Sequence, residues 1–197
     1  MKVLEKSFFL RSNVQLIAKQ LLGKVLCTQV NGALTKGMIV ETEAYSYKER
    51  GCHAFNGKMT QRNAVMFREG GVAYVYLCYG IHEMMNVVTN REGRADAILI
   101  RALEPVQGLD QMMRRSKARS HKRLTSGPGK LTNAMGIDRK LNGASLLKGE
   151  IWVEDHGIKI AKPSIAAATR IGIDYAGEDA LLPWRFYVRG NQWISKP

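Results

Sequence analysis

The chain has 197 residues, with 30 Lys and Arg against 17 Asp and Glu, a formal charge of +13 and 45% apolar residues. That size predicts one domain with a substantial core, and the near-average composition excludes disorder and fibrous repeats. So large a positive charge exceeds what solubility needs and points to an acidic polymer or surface as partner.

No run approaches the ~20 apolar residues that span a bilayer, and the opening Met1-Lys2-Val3-Leu4-Glu5-Lys6 carries no apolar signal region. Cys27, Cys52 and Cys78 form an odd set without CxxC spacing, which disfavours a disulfide framework and a zinc site. A reducing cytoplasm, with no membrane association, is the expectation.

In chain order, Asn13 can cap a helix over 14–22, where Val14, Ile17, Ala18 and Leu21 follow helical spacing and Gly23 supplies a left-handed stop. Lys24 to Val30 and Ala33 to Tyr45 are apolar, β-branched runs joined by Asn31-Gly32, the signature of an antiparallel hairpin. Ser46 to Lys58 reads as a loop, and Thr60 can cap a short helix ending near Phe67, before Gly70-Gly71 breaks the chain. Strands follow at 72–79, 83–89 and 97–103, the last two connected through Asn90-Arg91-Glu92-Gly93. Helices near 108–116 and 128–135 and strands near 151–154, 158–161 and 185–189 complete the pattern. Without βαβ alternation or internal repeats, the expected class is α+β: a mainly antiparallel, curved sheet with surrounding helices in a single domain.

Charge is uneven. Between Gln111 and Ile137 lie Arg114, Arg115, Lys117, Arg119, Lys122, Arg123 and Lys130, with no acid. A solvated surface would account for them, and so would a nucleic-acid track. Ser126-Gly127-Pro128-Gly129-Lys130 favours the track, because Pro128 suits a first helical position and the preceding amides can seat a backbone phosphate.

Two strands carry chemistry. In Ile39 to Tyr45, the two-residue period puts Glu41, Glu43 and Tyr45 on one face, either an exposed edge-strand face or a carboxylate base beside an aromatic platform. Ala73 to Gly80 holds Tyr74 and Tyr76 on one face and Tyr79 on the other or at the Gly80 break, a pattern that fits core packing or base stacking. His82-Glu83-Met84-Met85-Asn86 begins like a zinc-protease helix but lacks the second histidine, so a metal site is rejected.

Ile39-Val40-Glu41-Thr42-Glu43-Ala44-Tyr45, Tyr74-Val75-Tyr76-Leu77-Cys78-Tyr79-Gly80 with Asn86, Leu99 to Pro105, Ser126 to Leu131 and Arg185 to Gly190 together resemble, in order, the alkyladenine (3-methylpurine) DNA glycosylase family. The likeness covers nearly the whole chain. It implies a monomeric enzyme that flips an alkylated or deaminated purine (3-methyladenine, 7-methylguanine, hypoxanthine or ethenoadenine class) out of duplex DNA. The N-glycosidic bond is then hydrolysed without metal or cofactor in base excision repair, and no obligate protein partner is implied.

By the same resemblance, Glu43 matches the general base and Arg101 an arginine that holds the attacking water. Tyr45 and Tyr76 match aromatic walls around the flipped base, with His53 a further pocket residue and Asn86 a polar screen. Ile173 falls where a backbone carbonyl orients the water. Tyr79 matches a side chain wedged into the duplex, with Ile81 beside it, and Arg114, Arg115 and Lys130 belong to the expected DNA track. Two other readings compete. One is a nucleic-acid-binding protein without catalysis. The other, a glycan hydrolase using Glu41 with Glu43, is disfavoured because same-face strand neighbours lie ~7 Å apart on one side of any substrate.

Overall fold

The computed structural model describes residues 1–196. Its first half runs β1 (Lys2–Val3), α1 (Lys6–Phe9), α2 (Val14–Leu21), β2 (Val25–Val30), β3 (Ala33–Tyr45), β4 (Ala73–Cys78) and β5 (His82–Thr89). The second half runs β6 (Asp96–Gln107), α3 (Leu109–Ser116), α4 (Pro128–Met135), β7 (Ile151–Asp155), β8 (Ile165–Ala168) and β9 (Arg185–Val188). The strands form one antiparallel sheet in the order β1-β7-β2-β3-β6-β5-β4, with β9 added to β3 and β8 to β9. The α+β class and the antiparallel sheet are as the sequence indicated.

Local chemistry explains the main boundaries. Asn13 Oδ1 accepts the Leu16 amide at 2.9 Å, and α2 buries Val14, Ile17, Ala18 and Leu21. Asn31 and Gly32 both take positive φ, 52° and 74°, as a primed hairpin turn demands. Pro128 opens α4 at its first position, where a missing amide costs nothing.

β3 is the axis of the sheet. Its first half pairs β2 and its second half pairs β9, while β6 runs along its other side from Lys36 to Tyr45, so the sheet curls where β3 changes partner. The β3–β6 register slips on both sides of Glu41: Ile39 faces Leu103, Glu41 faces Ala102 and Thr42 faces Ile100. Val40 and Arg101 are thereby left without opposite numbers, and such bulges re-aim side chains.

Several expectations need correction. Residues 158–161 are not a strand; Ile158 and Ile160 pack over Gly23, and the next strand is Ile165–Ala168. The reason lies in β7, whose edge away from β2 is already paired by β1, with Lys2 opposite Asp155, so no edge remains for a hairpin. Thr60 does exchange hydrogen bonds with Asn63, but the segment behind it makes only a 3₁₀ turn, Ala64–Phe67. The tyrosine strand stops at Cys78, and Tyr79 belongs to the turn.

A main core lies under α2 and α4, and a second apolar cluster joins Cys52, Ala54 and Met66 from the 46–67 segment to Tyr74, Val88 and Ala97 of the sheet. That segment is thus fixed over β4–β6 and walls a cavity between itself and the sheet.

Candidate active site

The two acids of β3 are not on an exposed edge. Glu41 and Glu43 are both fully buried in a central strand, and burying carboxylates is costly unless each is paired and hydrogen-bonded. Arg101, the bulged residue of β6, meets both: Nη1 lies 3.2 Å from Glu43 Oε2 and Nε 3.4 Å from Glu41 Oε1. Arg185 of β9 adds a second cation at 2.9 Å from Glu41 Oε1. Glu43 also accepts the Tyr45 hydroxyl at 2.8 Å and, on Oε1, the Ile171 amide at 2.8 Å.

Burial pushes the Glu43 carboxyl above its ordinary range; Arg101, the Ile171 amide and the Tyr45 hydroxyl pull against that rise without cancelling it. The result is a carboxylate more basic than one in water, as proton abstraction near neutral pH requires.

Above Glu43 opens a cavity of about 710 Å³, well within the size of small-ligand sites. Its lining includes the three groups bonded to Glu43 (Tyr45, Arg101 and Ile171) together with His53, Tyr76 and Asn86. Tyr74 and Tyr76 stack at 5.2 Å with planes 28° apart, and the His53 ring meets Tyr76 at 4.6 Å in an edge-on pose. His53 Nδ1 lies 3.0 Å from the Tyr74 hydroxyl. Burial, aided by Arg62, lowers the His53 pKa to about 4, so the ring is neutral at physiological pH and adds no positive charge to the cavity.

Sequence reasoning missed several of these parts. Ile173 lines the cavity, and its carbonyl accepts the Ala176 amide at 2.8 Å with a second lone pair to spare; the amide that holds Glu43 is that of Ile171, two positions earlier, a contact not expected from the sequence. Arg170, adjacent to it, makes a buried bidentate pair with Glu49 at 2.7 and 2.8 Å and lies 4.8 Å from the Tyr45 ring centre, bracing that ring from behind. Arg62 sits over Tyr76 at 5.1 Å on the cavity rim. Long-range partners of this kind leave no local sequence signal.

Tyr79 stands apart from the cavity floor at the tip of the β4–β5 hairpin. It is 85% exposed with φ of 50°, a left-handed conformation uncommon for a bulky residue, and Ile81 beside it is 73% exposed. The tip is braced from below: Thr132 of α4 donates to the Glu83 carbonyl at 2.9 Å, and a Cβ at Gly129 would come within 2.9 Å of the His82 ring. Tyr79 is thus an exposed aromatic in an uncommon backbone conformation at a supported hairpin tip.

The model of the methylpurine-DNA glycosylase family matches residues 7–192. The chain belongs to the methylpurine-DNA glycosylase family. A Carboxydothermus hydrogenoformans protein named "Putative 3-methyladenine DNA glycosylase" is 48% identical, covering 98% of this chain and 99% of that one. Proteins of the same name from Methanocella arvoryzae and Chlamydia felis are 49% and 43% identical, over 100% and 94% of this chain and 97% and 96% of theirs. The protein is accordingly a DNA-binding hydrolase of the methylpurine-DNA glycosylase type.

The side chains of the basic stretch divide between exposed and inward-turned. Arg114 is exposed and its side chain hydrogen-bonds, among the described residues, only Gln111 of its own helix, and Lys130 is exposed in a cleft shared with Ile81 and His82. Arg115, expected on the DNA track, turns inward instead, donating to the Val30 carbonyl at 3.1 Å, the Ala134 carbonyl at 3.4 Å and Thr35 Oγ1 at 3.2 Å. Its guanidinium ties α3 and α4 to the β2–β3 hairpin. Arg115→Ala is therefore expected to cost roughly 1–3 kcal/mol of stability by stranding those acceptors, with the salt dependence of DNA binding unchanged. Arg114→Ala should leave stability alone and reduce the slope of log affinity against log salt by about one. Denaturant titration and binding isotherms at several salt concentrations measure both.

Proposed function

We propose that this glycosylase extrudes an alkylated or deaminated purine from duplex DNA into the tyrosine-lined cavity and hydrolyses its N-glycosidic bond with Glu43 as general base. The observation that carries the reading is a buried, basicity-enhanced carboxylate under an aromatic cavity on a strongly basic protein. A pure binding protein has no use for such a carboxylate.

In the free protein Glu43 is covered, with the Tyr45 hydroxyl against Oε2. As a base enters and stacks on Tyr45, that hydroxyl gives way to a water held between Glu43 and Arg101. Glu43 takes a proton from the water, the water oxygen bonds to C1′ of the sugar, and the bond from C1′ to the base nitrogen breaks with its electron pair leaving on the base. A cationic base such as 3-methyladenine departs neutral and needs no acid. Uncharged Tyr45, Tyr76 and neutral His53 favour that cation over a normal purine, at ~0.5–2 kcal/mol per cation–π contact. The Ile171 amide holds Glu43, the Ile173 carbonyl orients the water, and Asn86 screens entrants at the wall.

The test uses a duplex with one hypoxanthine or ethenoadenine, single-turnover incubation and alkaline cleavage of abasic sites. The wild type is expected to give scission at the lesion. Glu43→Gln should lose at least a hundredfold in rate, on the scale of general-base catalysis, while still binding the lesion; excision within a few-fold of wild type contradicts the assignment.

Tyr79 is the wedge in this reading, filling the gap the extruded base leaves, and Ile81 supports it in the groove. Tyr79→Ala should slow excision from paired duplex yet be partly rescued when the lesion sits opposite an abasic gap, where unpairing costs less. Tyr76→Ala, which removes a stacking wall, should show no such rescue.

A further inference from the structure

The catalytic reading uses Glu43 and leaves its neighbour Glu41 unexplained, although Glu41 is equally buried and more heavily bonded. Its Oε1 accepts from Arg185 Nη1 at 2.9 Å and from the Ser195 hydroxyl at 2.9 Å, with Arg101 Nε at 3.4 Å. Its Oε2 accepts the Ser195 backbone amide at 2.6 Å. Ser195 lies in a segment that follows β9 and is itself strapped down, with Arg185 Nη1 bonded to the Lys196 carbonyl at 2.7 Å and Arg123 Nη2 to the Ser195 carbonyl at 3.3 Å.

Arg101 touches one member of this set with each nitrogen. Nη1 faces Glu43 at 3.2 Å, Nη2 faces the Ser195 hydroxyl at 3.5 Å, and Nε faces Glu41 while making no hydrogen bond among the described residues. The guanidinium is a rigid plane, so fixing Nε and Nη2 fixes where Nη1 can point. The charged side chains paired with Arg101 are Glu41 and Glu43, with Arg185 on the same Glu41 oxygen.

We propose that Glu41 and Ser195 are positioning residues that divide Arg101 between two carboxylates, so that the segment after β9 sets how tightly Arg101 holds Glu43. This rests on Glu43 being the general base. Glu43 is faced by Arg101 from β6, by Glu41 and Tyr45 from its own strand, by the Ile171 amide, and, beyond Tyr45, by Arg170. Among these, Arg101 is the cation bonded to it directly, so any shift of Arg101 reaches the basicity of Glu43 first.

The two partners act in opposite directions. With Glu41→Gln, the competing negative charge is gone; Arg101 turns wholly to Glu43, and the like charge that favours protonation of Glu43 is lost as well. Glu43 becomes a weaker base. With Ser195→Pro, the 2.6 Å amide donor is gone, Glu41 Oε2 is left unpaired, and Arg101 is drawn toward Glu41 and away from Glu43. Glu43 then binds its proton more tightly but loses the guanidinium that orients the water.

The experiment is the pH dependence of the single-turnover excision constant on the lesion duplex for wild type, Glu41→Gln, Ser195→Pro, Ser195→Ala and Ser195→Thr, with Glu43→Gln as control. The ascending limb is expected to move to lower pH in Glu41→Gln and to higher pH in Ser195→Pro. Both should lose on the order of tenfold or more in plateau rate, since small displacements of catalytic groups are costly. Ser195→Ala should shift in the same direction as Ser195→Pro by a smaller amount, with Ser195→Thr restoring wild-type behaviour. A purely structural role lowers the burst amplitude and leaves rate constant and midpoint in place. That result, or shifts of the same sign in Glu41→Gln and Ser195→Pro, overturns the proposal while Glu43→Gln remains inactive. Excision surviving in Glu43→Gln overturns the functional reading instead. If Ser195→Pro fails to fold, the Ala and Thr pair decides the matter.

Discussion

Two carboxylates two residues apart on one strand face the same way, and here both are excluded from water. An arrangement of that kind is untenable without cations at the same depth. Arg101 and Arg185 provide them, and much of the sheet is organised around delivering the pair. The register slips beside Glu41 aim Arg101 across β3, and β9 attaches to β3 opposite Glu41, Thr42 and Glu43 so that Arg185 arrives from the other side. Thr42, between the acids, faces away and bonds the Ala18 carbonyl of α2 at 3.1 Å, which seats the strand on the main core. The cluster is electrically balanced, yet Glu43 keeps a raised proton affinity because burial outweighs its hydrogen bonds.

Stability and function are separated in space by this design. The main core under α2 and α4 lies away from the cavity, whereas the second apolar cluster shares its tyrosines with the cavity wall. Tyr79 at the hairpin tip takes a left-handed φ, and α4 below it holds the tip in place through Thr132 and the close fit of Gly129 under His82.

Much of this was legible in the sequence, for reasons that differ by feature. The period of two placed Glu41, Glu43 and Tyr45 on one face and Tyr74 with Tyr76 on another, because strand alternation is a local rule, while Tyr79 turns out at the Gly80 break. The Asn31-Gly32 turn and the Pro128 helix start were equally local. Burial of the acids was not legible, since it follows from β9 and Arg185, more than a hundred residues away, and a strand that could be an edge looks the same as a central one. The false strand at 158–161 has an ordinary strand pattern and fails only because β1 already pairs β7. Arg115 reads as one more charge in a basic run, and its inward turn depends on carbonyls of Val30 and Ala134 that sequence does not place nearby. The Ile171 amide bond to Glu43 was not legible either, because a backbone amide carries no side-chain signature.

The central claim is that burial leaves Glu43 a stronger base than a solvated glutamate despite its contact with Arg101. Carbon-13 NMR titration of the glutamate side-chain carboxyls in the free protein, with Glu43 assigned by comparison with Glu43→Gln, measures this directly. The account predicts that Glu43 titrates above the ordinary glutamate value of 4.5. A Glu43 carboxyl that titrates at or below that value would contradict it, because Arg101 would then dominate and the group would be an ion-pair partner instead of a base.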